Sequence, residues 1–269
     1  MAVAAEVVSA ASAVAIPVEE ALQATGKSMA NETDKRLNEL TTRLSQAFGD
    51  RLLSVVLYGS AASGEMHGKY SDLNVLCVLK TIGPAELRLA ESPIRWWRSL
   101  NNPSPLFLSE EEFYNSTDCF AIEFHDIVEC HRVLAGADLV TGLVVDDTFY
   151  RGQVEHELRA KLLRLRQKAG GLLSEPGQLV LLMGESVSTF CNLSRHALRL
   201  AGAPSPMHKR DAIGACATQF GIDPAPFYTL LDLREGVKKA RDLDPPALLA
   251  AYMKQIEALT GAVDRLAKK

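Results

Sequence analysis

An apolar run, Leu53 to Tyr58, ends on Gly59-Ser60, and a second strand-like run, Ser71 to Leu79, starts eleven residues later with Asp72 and Asn74 two positions apart. This spacing constrains the fold more than any other feature of the chain. It predicts a strand, a tight Gly-Ser turn and a return strand whose first residues look back at that turn. Strand residues two apart project from one face, their Cα atoms roughly 6.5–7 Å apart. Two carboxylates so placed can share divalent cations roughly 3.5–4 Å apart, as two-metal phosphoryl chemistry requires. Here the first position is an acid and the second an amide, a neutral oxygen where a hard cation prefers an anion.

The turn itself suits a phosphate. Backbone N–H groups between a buried strand and a helix N-terminus point outward, and the helix dipole adds partial positive charge. Gly59 lets the backbone approach a ligand closely, and the Ser60 hydroxyl can donate to a phosphate oxygen.

Gly59-Ser60 followed by Ser71-Asp72-x-Asn74 resembles the signature of the DNA polymerase beta-type nucleotidyltransferase superfamily: a Gly-Ser turn, an Asp-x-Asp pair on the next strand and a third carboxylate on a later strand. The order of the halves, with helices last, looks like the antibiotic-modifying branch exemplified by kanamycin nucleotidyltransferase. The resemblance implies transfer of a nucleoside monophosphate from a nucleoside triphosphate, ATP foremost, to a small hydroxylated acceptor, with pyrophosphate released and Mg²⁺ held by the acids. Carried over residue by residue, Gly59 and Ser60 match the turn and Asp72 the first metal-binding acid. Asn74 stands in place of the second, and Glu123 is the candidate third acid, with Asp126 in reserve. Asp72 and Glu123 are then the expected metal ligands. Loss of one anion weakens a second cation more than the one travelling with the triphosphate, so nucleotide binding is expected to survive better than catalysis.

Around this motif the pattern predicts an α+β fold: a small mixed-sheet domain followed by an all-α bundle. Leu37, Leu40, Leu44 and Phe48 mark a first helix. Gly83-Pro84 opens a helix running to Leu100, and Asn101 to Pro105 breaks the chain. Pro105 to Leu108 reads as a short strand, and Ser109 with three glutamates as a capped helix start. Ala121 to Val128 reads as a strand with Glu123 and His125 on one face. From Asp147 onward the periodicity is helical: Val154 to Leu165, Leu179 to Leu200, His208 to Phe220, Pro224 to Leu243 and Pro246 to Leu266, with Gly or Pro at the joins. The expected divisions are an N-terminal extension (1–30), a nucleotidyltransferase-like domain (31–146) and a helical bundle (147–269).

Arg159 and Arg166, seven apart on one helix face, are candidate nucleotide contacts. Paired Trp96 and Trp97 are expected in the core. A net charge of −4 disfavours a protein that grips extended nucleic acid. Five cysteines without Cys-x-x-Cys spacing point to reduced thiols in a cytoplasmic protein. The Ala-rich start has no Lys or Arg and carries Glu6, unlike a signal peptide, and no run is long enough to span a membrane.

The competing reading is a catalytically inactive nucleotide-binding or regulatory module. Less favoured is an antitoxin-type partner of helical toxins, which use an Arg followed four to six residues later by His; Arg195-His196 are adjacent and Arg199 to His208 is too long.

Overall fold

In a computed structural model the structure describes residues 18–62 and 73–266, with side chains from residue 31 and excepting Ser60. The first helix, α1 (Val18–Phe48), leads into β1 (Leu52–Tyr58), which is followed by a short 3₁₀ turn at Gly59–Ala61. Next come β2 (Asn74–Leu79), α2 (Pro84–Ser99), β3 (Leu106–Ser109) and α3 (Glu110–Asn115). The α/β part closes with α4 (Ala121–Glu129) and β4 (His131–Gly136). Five further helices follow among the described residues: α5 (Tyr150–Ala169), α6 (Pro176–Leu200), α7 (Lys209–Phe220), α8 (Ala225–Arg234) and α9 (Pro245–Asp264). The molecule is thus α+β, a four-stranded mixed sheet with a helical region after it.

The sheet order is β3-β2-β1-β4, with β1 antiparallel to both neighbours and β2 parallel to β3. Period-2 alternation splits its side chains between two cores. Val55, Leu57, Val75, Cys77 and Leu79 pack on Leu37, Leu40, Leu44 and Phe48 of α1 and on Trp97 of α2. Trp97 is fully buried and its indole N–H donates to Pro103 O at 2.9 Å, so it is a core anchor as expected. On the opposite face Val56, Leu76, Val78 and Leu108 meet Phe113 of α3 and Phe124 and Ile127 of α4. A third core fills the helical half, and Ala121 of α4 belongs to it. α4 therefore touches both the sheet and the bundle.

Two sequence expectations need correction. Ala121 to Val128 is helix α4, and the strand comes after it. Buried Ala121, Phe124, His125 and Ile127 follow helical spacing, while Ile122 to His125 alternates apolar and polar as a strand would, and tertiary packing decides between the two patterns. Consequently Glu123 and His125 do not share a face; Glu123 and Asp126, three apart, are the neighbours. The helix expected over Pro224 to Leu243 ends at Arg234, because Gly236 takes the left-handed conformation (φ 75°) and only a 3₁₀ turn, Ala240–Asp242, follows. Ser109 does cap α3, accepting from Glu112 N while Glu112 Oε2 accepts from Ser109 N.

Gly136, at the end of β4, has φ 80°, and a Cβ there would sit 2.1 Å from Leu53 O. Gly136→Ala must therefore move backbone as well as adopt a strained conformation. It is expected to lower stability by about 2 kcal/mol, read as a shifted urea midpoint at unchanged slope.

Candidate functional site

The Gly59–Ala61 turn is built by its backbone. Gly59 has φ 75°, which favours glycine, and its N–H donates to Cys130 O at 3.1 Å, while Ala62 N–H closes the turn on Gly59 O at 2.9 Å. The turn packs against α4. Asn74 lies beside it: a Cβ on Gly59 would be 3.6 Å from Asn74 Nδ2. The sequence expectation that the second strand begins next to the Gly-Ser turn is met, since Asn74 pairs with Tyr58. Asp72, like His67 and Lys69, lies outside the described residues, and nothing is said of the Ser60 side chain.

Beside α4 a cleft of about 730 Å³ opens between α4, the start of α5 and the end of α6. Glu123, Tyr150, Arg151, Glu157 and Arg199 line it, together with the exposed rings of Phe120 and Phe149. Glu123 lies on this cleft wall with its side chain exposed, and the protein packed around it still raises its pKa by desolvation. The neighbouring carboxylates Glu157 and Asp126 push the same way, against a backbone hydrogen bond and His196. Among the described residues Glu123 has no cationic partner. Arg132 of β4 binds Asp34 of α1 at 2.8 Å. Tyr58, at the end of β1, is pushed up to about 12 by burial and then by the carboxylates of Glu123 and Asp126, which ties the sheet end to the cleft.

Behind Glu123 is a polar seam that the sequence reading missed. Arg195, almost fully buried, donates from Nη1 to Asp126 Oδ1 (3.1 Å) and from Nη2 to Glu129 Oε2 (2.8 Å). Asn192 Nδ2 donates to Asp126 Oδ2 at 2.8 Å, and Arg199 Nη2 to Glu129 Oε2 at 2.9 Å. His196 places Nε2 3.3 Å from Asp126 Oδ1 and shares a 2.7 Å hydrogen bond between Nδ1 and Tyr150 OH. Burial opposes the Asp126 carboxylate, but His196, Asn192 and Arg195 outweigh it and hold its pKa below the usual range. The signal was present: Asn192, Arg195, His196 and Arg199 fall at i, i+3, i+4 and i+7 along one face of α6.

The two arginines chosen from sequence are engaged elsewhere. Arg159 bonds Glu155 at 2.8 Å and lies 3.5 Å from Asp264, and Arg166 bonds Glu257 of α9 at 2.6 Å. Their shared face is turned to α9, and neither lines the cleft; Arg151 and Arg199 do. The Arg-to-His spacing sought in the bundle also exists after all, at Arg151 and His156. Arg151 is paired with Glu155 at 2.8 Å, and the His156 side chain is exposed.

A mixed sheet carrying a Gly turn beside its second strand, with helices after it, is the nucleotidyltransferase fold. Its particular likeness is to spectinomycin adenyltransferase AAD(9) from Enterococcus faecialis, solved with ATP and spectinomycin: TM-score 0.58 over 86% of this chain and 99% of that one, at 12% sequence identity. No protein-family model and no curated protein matches the sequence. No described helix is long and apolar enough to cross a membrane, and no disulfide joins the five cysteines.

Proposed function

We propose that this chain binds a nucleoside triphosphate, ATP foremost, at the Gly59-Ser60 turn and transfers its nucleoside monophosphate to a hydroxylated small molecule held in the α4–α5–α6 cleft. The observation that supports this reading is the contact of the turn with α4, the helix that also carries Glu123 on the cleft wall. The likeness to an adenyltransferase solved with both ATP and an antibiotic supports it.

The chemistry follows from this chain's residues. The turn N–H groups and Ser60 hold phosphate oxygens. Glu123, whose raised pKa makes it a stronger base than an ordinary carboxylate, takes the acceptor hydroxyl proton. The acceptor oxygen bonds to the α-phosphorus, the bond from that phosphorus to the bridging oxygen breaks, and pyrophosphate leaves. Asp72, with Glu123 as the second candidate ligand, would hold a Mg²⁺ that accompanies the triphosphate and would neutralise phosphate charge. Arg199, on the cleft wall, is the cation nearest in role to what Arg159 and Arg166 were expected to supply.

Titrating a non-hydrolysable ATP analogue with Mg²⁺ into the protein is expected to give saturable binding that weakens in Asp72→Asn. Absence of heat with ATP, GTP, CTP and UTP analogues alike overturns the reading. A protein that binds but modifies no hydroxylated acceptor is the nucleotide-binding module that Asn74 suggests.

A further inference from the structure

Of the six Lys and Arg residues on α5, three are engaged within the fold: Arg151 and Arg159 pair with Glu155, and Arg166 with Glu257 of α9. Lys161, Arg164 and Lys168 fall at i, i+3 and i+7 on another face of the helix. That face lines a groove of about 170 Å³ between α5 and α6, further along α5 than the Glu123 cleft. Arg164 and Lys168 make no hydrogen bond or ion pair with any described residue, and Lys161 has only a surface pair with Glu157, at 3.3 Å. Across the groove α6 contributes Glu185 and the Thr189 hydroxyl, which has no hydrogen-bond partner among the described residues. Buried Leu182 and Phe190 supply an apolar wall.

The three cations outnumber the carboxylates within reach, Glu157 and Glu185, in a chain whose net charge is −4. The helix dipole favours a cation such as Lys168 in the last turn of α5, but its effect does not extend back to Arg164 and Lys161. An anion is the complement of this groove. A carboxylate has two oxygens, and the fork of one arginine satisfies both. Further cations and a hydroxyl call for a third oxygen and a second charge, which a phosphate monoester carries. A whole nucleotide is too large, since pockets for drug-sized ligands start at about 300 Å³.

We infer that the α5–α6 groove binds a small phosphate monoester, with Arg164 and Lys168 on the phosphate oxygens and the ester group against Leu182 and Phe190. The inference stands apart from the proposed nucleotide reading, since none of these residues lines the Glu123 cleft.

The test is a titration of phenyl phosphate into the isotope-labelled whole protein at fixed ionic strength, read by backbone amide chemical shifts. Saturable shifts centred on Arg164, Lys168 and Thr189 are expected. Reaching the same saturation should take at least about tenfold more ligand in Arg164→Gln/Lys168→Gln, which removes charge-assisted hydrogen bonds. Both side chains are exposed, so the double variant is expected to fold. Benzoate, the same ring with a carboxylate, should bind the wild type more weakly than phenyl phosphate; equal midpoints overturn the choice of phosphate. Inorganic phosphate binding as tightly as phenyl phosphate overturns the ester and leaves the free ion as the ligand. Shifts that never saturate, that persist unchanged in the double variant, or that cluster only around Gly59 overturn the groove as a site.

Discussion

Glu123→Gln is expected to reduce turnover by at least about 100-fold, the usual contribution of a positioned general base, while nucleotide affinity stays nearly unchanged. The amide keeps the size and the cleft position of the side chain but cannot take a proton. Glu123 makes no ion pair with described residues, so the substitution leaves no cation stranded, and its effect on stability should be small. Rates in single turnover together with calorimetric affinity separate the two quantities. Equal loss of binding and rate would mean that Glu123 holds a ligand instead of moving a proton. An unchanged rate would remove it from the chemistry.

The second large effect is expected on stability. Arg195→Met keeps most of the volume and removes the cation that binds both Asp126 and Glu129. Two carboxylates at the α4–α6 contact lose a buried cationic partner, and breaking a buried pair in this way costs about 3–5 kcal/mol. The pH dependence carries the signature. In the wild type the Asp126 pKa is depressed, so its contribution is complete above the unfolded value of about 3.9 and is lost as pH falls through the lower folded value. Without Arg195, desolvation gains weight and the folded pKa moves up. Protonation then relieves the variant at a pH where the wild type is still flat, so the stability gap should narrow between neutral and mildly acidic solution. A gap of the same size at both would mean that Arg195 acts through packing.

Much of the sheet could be read from the chain because its strands are flanked by unambiguous punctuation. Gly59 ends β1, Asn101 to Pro105 separates α2 from β3, and Ser109 with Glu112 starts α3. The region after residue 120 was harder. Ala-Ile-Glu-Phe-His-Asp-Ile-Val satisfies both a strand and a helix period, and eight residues are too few to separate them. That ambiguity hid β4, whose short His-Arg-Val-Leu-Ala-Gly run looked like an exit from the strand before it. Glu123 nonetheless lines a cleft, carried there by a helix that touches the turn. What Arg159 and Arg166 meet was hidden for a different reason. Spacing identifies a shared helix face but not what that face meets, and the acids of α9 that meet Arg159 and Arg166 come about 90 to 105 positions later in the chain. The same holds for the seam on α6, where a polar stripe was visible but its partners on α4 were assigned to a strand.

The place of β1 inside the sheet bears on how the protein is made. One of its edges pairs with β2, nearby in sequence, and the other waits for β4, with Leu57 opposite Arg132. During synthesis β3, β2 and β1 can assemble while the outer side of β1 is still bare, an apolar strand with unpaired backbone groups open to another chain. Closing it requires a long-range pairing, which is slow compared with forming the local helices. The interval before residue 136 leaves the ribosome is therefore when this protein is most exposed to aggregation. Substitutions that weaken β4, Gly136→Ala among them, should lower soluble yield by more than their equilibrium cost implies.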